Sequence, residues 1–531
     1  MKYPIGIQSF AHLREDNYLY IDKTDLIYKL ATEGKIYFLS RPRRFGKSLL
    51  ISTLKAYFEG KKELFTGLAI EKLEQKWDKH PVFHIDFNGI NFTEGNILNN
   101  VLEKYIASWE NQYECTPTST EIRLLGTRFA KVLKQAHLKY GKRAVVLIDE
   151  YDKPILDILD TNNTVEVDGE RRSIEDINRE ILKGFYSVFK AADEDLQFVL
   201  LTGVTKFSQV SIFSGFNQPA DISLDRRYEA LCGITQEELY KYFEESIKEL
   251  AIRYKFSEHE MREFLKRQYD GYHFSDELTD IYNPFSLLNA FASQRIDDYW
   301  FRSGTPSYLI RLLNHTKEDL DELTGRYYAP NRFVDYKADV EMPLPMIYQS
   351  GYLTIKDCNK RHNTFLLDFP NNEVRKGFIT LVANNYLKKE NSDNWTLDVV
   401  DALETANLDR FRKLLTSFLA DIPYSMRRKE TERERERYFH YTFYLLMRMV
   451  SCYTIYTEKQ QSEGRVECII EVPDYIYIFE FKLDGTAAEA LTQINDRGYA
   501  LPYAADPRKP YRIGISFSSE TGTVEDWAVE E

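Results

Sequence analysis

The sequence predicts an α/β protein in three parts: a parallel sheet with helices on both faces over residues 1–235, a helical and winged-helix-like region over 236–397, and a small α/β domain over 398–531. The first part rests on four short runs rich in Val, Ile, Leu and Phe: "IYFL" (36–39), "PVFHIDF" (81–87), "RAVVLID" (143–149) and "QFVLLTG" (197–203). Amphipathic stretches at 94–110, 121–140 and 174–192 lie between them. Strands apolar on both faces and alternating with helices belong to a parallel sheet covered on both sides. The other two parts rest on changes of texture, after Cys232 and again near Asp398.

After Cys232 the chain becomes helical. Thr235-x-x-Glu238 and Ser257-x-x-Glu260 have the form of capping boxes opening amphipathic runs. "YNPFSLLNAF" and "GTPSYLIRLL" read as short helices, and "MPLPMIYQSGYLTIKD" with "TFLLDF" as a helix and hairpin. The third part begins with a helix at 405–420 and a charged helix from about Thr431 into "YTFYLLMRMV". Strands at 453–457, 465–472 and 475–482, a helix at 486–500 and a strand at 511–517 complete it, with "VPD" as the tight turn.

Composition narrows the function classes. Hydrophobic content of 43% and 37 Tyr with 33 Phe are those of folded domains. No apolar stretch reaches the roughly 18 residues of a membrane span, and the N-terminal residues lack the pattern of a signal peptide. Five scattered cysteines without a CxxC pair argue for reduced thiols, a cytoplasmic location and no structural zinc. A net charge of −13 excludes a wholesale electrostatic grip on nucleic acid while leaving room for a local basic groove.

"YFLSRPRRFGKSLLISTL" (37–54) carries the first chemical signal. Gly46, Lys47 and Ser48 match the end of the Walker A form G-x-x-x-x-G-K-[ST], whose main-chain N–H groups cradle phosphates, whose Lys reaches β/γ oxygens and whose hydroxyl holds Mg²⁺. Arg41 stands where the first Gly is expected. A strand precedes the loop and a helix follows it, as the motif requires; a basic surface turn that contains GKS by chance is the competing reading. "AVVLIDEYD" weighs against chance: an apolar strand ends in Asp149, placed to hold Mg²⁺, and Glu150, placed to polarise the attacking water. Thr202, at the end of a further strand, reads first as a plain strand end and second as a sensor residue; Arg43, Arg44 and Phe45 complete the loop, the two arginines as phosphate contacts or as solvated side chains. Arg226 and Arg227 are candidate arginine fingers or plain surface residues.

With "PIGIQSFAHLREDNYLYIDKTDLIYKL" and "VVLIDEYDKPI", this loop resembles bacterial AAA-like P-loop ATPases with an R-P-R-R-F-G-K-S loop, in which Arg commonly replaces the first Gly. The resemblance continues through "CGITQEEL", "YDGYHF" and "YQSGYLTIKD". It implies an ATPase with an additional strand between the Walker strands, fused to a nuclease-like domain.

"GRVECIIEVPDYIYIFEFKLDG" carries the second signal. Glu480 and Lys482, two apart on a strand, share a face that Glu467 can approach across the hairpin, while Phe479 and Phe481 turn to the opposite, core face. Two acids and a lysine suit phosphodiester hydrolysis, with Glu467 and Glu480 as metal ligands and Lys482 orienting water or offsetting transition-state charge. A strand with a wet Glu-x-Lys face is the competing reading. The pattern resembles the PD-(D/E)xK nuclease superfamily and implies a restriction-endonuclease-like fold, in which Gln493 and Tyr499 match a Q…Y element lining the site. Glu467 departs from the usual Asp. Glu436 and His440, on the preceding helix, read first as ordinary helix-face residues and second as contributors to the site, and "RRKETERERERY" reads first as a solvated helix face and second as a phosphate-tracking helix.

The expected cofactors are ATP and Mg²⁺, and the expected partner is nucleic acid, DNA before RNA; a homo-oligomer stays open. Two functions compete: an ATP-gated nuclease in DNA processing or defence, and a nucleotide-switched module that binds nucleic acid or protein through an inactive nuclease-like domain.

Overall fold

The computed structural model describes residues 2–117, 124–159, 161–167, 169–207, 219–304, 308–309, 323–334, 343–387, 393–422, 432–449, 454–461 and 464–531. The chain divides into two compact units, Met1–Val374 and Arg375–Glu531.

In the first unit, β1 (Ile36–Ser40), β2 (Val82–Asp86) and β3 (Ala144–Asp149) are followed by the hairpin β4 (Thr164–Val167) and β5 (Glu170–Ser173), then β6 (Leu196–Gly203) and β7 (Ala220–Asp221). The main sheet has the order β2-β3-β6-β1-β7 and is parallel throughout. Every residue of β3 and nearly every residue of β6 is buried, as expected for central strands covered on both faces. β6 therefore lies between the strand leading into the Gly46–Ser48 loop and the strand ending in Asp149. That is the additional-strand order expected from the sequence.

The helices Gln236–Tyr254 and Glu258–Tyr269 open with the two expected capping boxes, each closed in both directions. With Pro284–Ser293 they enclose a core of Leu239, Phe243, Ile247, Leu265 and Phe291, against which Tyr3 packs. A short pair, β8 (Ile234–Thr235) and β9 (Ile281–Tyr282), ties the ends of this layer. The hairpin β11 (Thr354–Asn359) and β12 (Thr364–Asp368) follows the helix Leu344–Gln349 as expected, and β10 (Arg326–Tyr328), which precedes that helix, adds a third antiparallel strand beside β12. "GTPSYLIRLL" falls largely outside the described residues.

In the second unit, β13 (Thr454–Gln461), β14 (Gly464–Glu471), β15 (Tyr475–Leu483), β16 (Lys509–Phe517) and β17 (Val524–Glu530) form one sheet in sequence order. The first three strands are an antiparallel meander, β16 runs parallel to β15, and the helix Ala487–Asp496 joins them. β17 adds an antiparallel edge that the sequence reading lacks. Phe479 and Phe481 pack on Phe411, Phe443 and Phe517 on one face. Ile476 and Ile478 meet Ile494, Tyr499 and Tyr503 on the other. Each fully buried aromatic or aliphatic side chain contributes roughly 1.5–3 kcal/mol.

Candidate functional site

The loop after β1 is held from behind by the residue that replaces its first glycine. Arg41 is 1% exposed, and its guanidinium donates to Ser40 O (2.9 Å), Ser223 O (2.8 Å) and Tyr228 O (3.3 Å) while lying 4.2 Å from the Phe274 ring centre. Phe45 is buried against Tyr272 and Phe274, so its ring turns away from the front of the loop. Arg43 donates to Gly304 O and accepts the Trp300 indole N–H at its own carbonyl (3.0 Å). Arg44 lies 4.9 Å from the centre of the Phe285 ring.

Gly46 takes φ +96° immediately before the helix Lys47–Phe58, a left-handed conformation that glycine enters without steric cost. A Cβ built there meets no protein atom within 4 Å, so the space beside it is open. Lys47 is buried and donates to Arg41 O (3.0 Å) and Pro42 O (3.1 Å) within its own loop. Gly46, Lys47 and Ser48 border a cavity of about 450 Å³ that is also lined by Glu150 and Asp152. Amide groups of a helix N-terminus facing such a space are suited to an anion.

Across β6, Asp149 is buried and its Oδ1 accepts the Thr202 hydroxyl (2.6 Å) and the Glu150 N–H (3.1 Å). Thr202 thus orients Asp149. Glu150 has φ +52° and borders the cavity. Burial pushes its pKa upward, with the nearby Lys47 charge opposing the shift.

The C-terminal cluster comes together as the strand pattern requires. Glu467 on β14 accepts the Phe481 N–H across the hairpin. Glu480 is 1% exposed; Gln493, on the following helix, donates to its Oε1, while Oε2 has no hydrogen-bond partner among the described residues. Lys482 donates to the same Gln493 at Oε1 (2.7 Å), so one amide bridges acid and base. Burial pushes the Glu480 pKa up to about 7, with Lys482 opposing the shift. A buried carboxylate oxygen without a donor fits a hard cation. Among the described residues no group of three or more His, Cys, Asp or Glu could hold a metal, and Mg²⁺ sites of one or two carboxylates plus water need no such group.

Tyr499 belongs to the apolar layer beside the cluster. The side chains of Glu436 and His440, with most of the charged run 427–438, lie outside the described residues. Arg226 pairs with Asp276 and Glu277, and Arg227 with Asp225, all near the surface. Sequence reasoning missed Asp152, which is fully buried, and the cavity wall formed by Pro4–Gln8 and Phe285. The "DEYD" spacing is the signal that could have found Asp152, and Pro4–Gln8 opens the stretch "PIGIQSF" that carries the resemblance without marking a cavity wall.

A family model described as "Predicted AAA-ATPase" matches residues 4–213, and one described as "PD-(D/E)XK nuclease superfamily" matches residues 434–527. An "Uncharacterized protein in vnfD 5'region" of Azotobacter chroococcum mcd 1 is 34% identical over 538 residues, covering 100% of this chain and 99% of that protein.

Proposed function

Because the chain belongs to the family of predicted AAA-ATPases that carry a C-terminal PD-(D/E)XK nuclease-superfamily domain, we propose that it binds and hydrolyses ATP and couples this to a Mg²⁺-dependent nuclease-like domain acting on nucleic acid, DNA before RNA, in DNA processing or defence. The observation that carries the reading is the cavity of about 450 Å³ lined by Gly46, Lys47 and Ser48 together with Glu150. In this reading the loop amides and Lys47 hold the phosphates, Lys47 exchanging its loop carbonyls for phosphate oxygens. Arg43 and Arg44 flank them. Ser48 and Asp149 would hold Mg²⁺, which supplies charge neutralisation when bound. Glu150 orients a water whose oxygen attacks the γ-phosphorus; the bond to the β-phosphate oxygen breaks, and Glu150 takes the proton.

In the C-terminal domain Glu467 and Glu480 would hold Mg²⁺, and Lys482, oriented by Gln493, steadies the water or the phosphorane-like charge. No helix among the described residues is long and apolar enough to cross a membrane, and we read the protein as cytoplasmic. A second reading, a nucleotide-switched binding module with an inactive nuclease-like domain, is favoured by one contact: Glu467, in place of the usual Asp, takes a main-chain N–H of Phe481.

The test is cleavage of labelled single- and double-stranded DNA and RNA with Mg²⁺ or Mn²⁺, with and without ATP. Cutting lost in Lys482→Ala, and ATP turnover lost in Lys47→Ala, are the expected results. Unchanged turnover in Lys47→Ala sinks the ATPase assignment. Absence of cutting on every substrate, with recovery in Glu467→Asp, favours the second reading.

A further inference from the structure

The four residues Asp149–Asp152 close around the end of β6. Asp149 accepts the Thr202 hydroxyl (2.6 Å), and Tyr151 N–H donates to Thr202 O (3.0 Å). The Tyr151 hydroxyl donates to Thr205 O (3.0 Å) and accepts from Phe207 N–H (3.2 Å). Asp152 is 1% exposed and gathers three donors on Oδ2: Val204 N–H (2.9 Å), Thr205 N–H (2.6 Å) and the Thr205 hydroxyl (2.8 Å). Between these anchors Glu150 holds a left-handed φ of +52°, a conformation that costs a non-glycine residue roughly 1–3 kcal/mol and persists only where neighbours enforce it. Glu150 and Asp152 border the same cavity wall.

An apolar side chain would fill the Asp152 position without the cost of burying a carboxylate. What the carboxylate adds is direction: it fastens the turn after β3 to two successive amides at the end of β6. We infer that Asp152 is a positioning residue for ATP hydrolysis, fixing the main chain at Glu150 so that the Glu150 carboxyl meets the attacking water. The inference rests on the ATPase reading above. The phosphate-holding groups, Gly46–Ser48, lie on the loop after β1, whose first residues meet the end of β6 at other atoms than those Asp152 holds: Arg41 N–H donates to Gly203 O (3.2 Å) and the Ser40 hydroxyl to Val204 O (2.5 Å). Loss of Asp152 therefore acts on turnover and spares nucleotide affinity, a split that a general structural role does not give.

The experiment measures kcat, KM and the affinity of a fluorescent ATP analogue in the full-length protein. Asp152→Ala is expected to lower kcat about 100-fold, the scale of a 1 Å misplacement at a reacting centre, with KM and analogue affinity little changed. Asp152→Asn, whose carbonyl oxygen can still accept both amides, restores most of the rate. Thr205→Val, which removes one donor of three, lowers kcat several-fold and keeps the test decisive if Asp152→Ala does not fold. In a Glu150→Gln background Asp152→Ala has little further effect. Wild-type kcat in the folded Asp152→Ala or in Thr205→Val, a parallel loss of kcat and affinity, or full additivity with Glu150→Gln overturns the inference. A wild-type protein that neither binds the analogue nor turns over ATP overturns the ATPase reading itself.

Discussion

Arg41 occupies a position where a glycine would ease the turn, and its surroundings make it a buried tie instead. Removing it strands two carbonyls, Ser223 O and Tyr228 O, and leaves a void beside Phe274. A buried acceptor that loses its donor costs about 1–3 kcal/mol. Restoring the general motif with Arg41→Gly is therefore expected to destabilise the protein by about 2–5 kcal/mol, measured by urea unfolding; an unchanged midpoint would refute the role. Asp270 makes the opposite case. It is 1% exposed, neither carboxyl oxygen has a hydrogen-bond partner among the described residues, and burial, with the Asp280 charge adding to it, raises its pKa from 3.8 to about 7. The folded state then holds a proton that the unfolded chain releases, so stability falls as pH rises from about 4 to 7 and stays low above that window. Asp270→Asn should stabilise by about 2–4 kcal/mol at pH 8 and far less below pH 4. Thermal unfolding at pH 4 and pH 8 checks this, and an equal effect at both pH values would refute it.

At the scale of elements, one helix sets the geometry of the C-terminal cluster. Ala487–Asp496 starts with a capping box between Thr486 and Glu489, and Asp526 on β17 accepts the Ala487 N–H (2.9 Å). The helix lies so close to β16 that a Cβ on Gly514 would stand 2.2 Å from Ala487 O and 3.0 Å from Leu491 N. Gly514 is the register partner of Glu480. Gly514→Ala should therefore push away the helix that carries Gln493. The expected result is a loss of about 1–3 kcal/mol in stability and of whatever cleavage the wild type has, read by unfolding and by nuclease assay side by side. Retention of both would mean the helix can shift freely. Legibility in the sequence follows from the same physics. Strands such as 144–149 and 475–483 announce themselves by apolar runs or alternation. β17, "VEDWAVE", is a partly wet edge strand with three acids, and the two-residue strands β7, β8 and β9 exist only through their partners. The Glu467–Glu480–Lys482 grouping followed from strand periodicity. The Gln493 bridge between Glu480 and Lys482 needed the helix in place.

For the molecule as a whole, the sequence reading separates a nucleotide-loop part from a helical middle part, while the structure gathers both into the unit Met1–Val374. The join is made by the loop itself: Arg41 reaches Phe274, Pro42 abuts Gly351, Arg43 reaches Gly304, Arg44 meets Phe285 and Phe45 meets Tyr272. Such contacts link positions about 230 to 310 apart in the chain and leave no local pattern, so composition marks a boundary that packing crosses. The second unit, by contrast, was legible in outline because its strands and helices follow one another with short turns. The five residues 41–45 bear on how this lineage can be rearranged. A phosphate loop whose back is upholstered by a neighbouring layer cannot travel as a cassette, since cutting the chain near residue 235 would strip Phe274 from the Arg41 guanidinium and both Tyr272 and Phe274 from the Phe45 ring. Recombination that shuffles nucleotide modules between proteins must therefore carry the middle layer along, and the seam open to exchange lies after it, near residue 375.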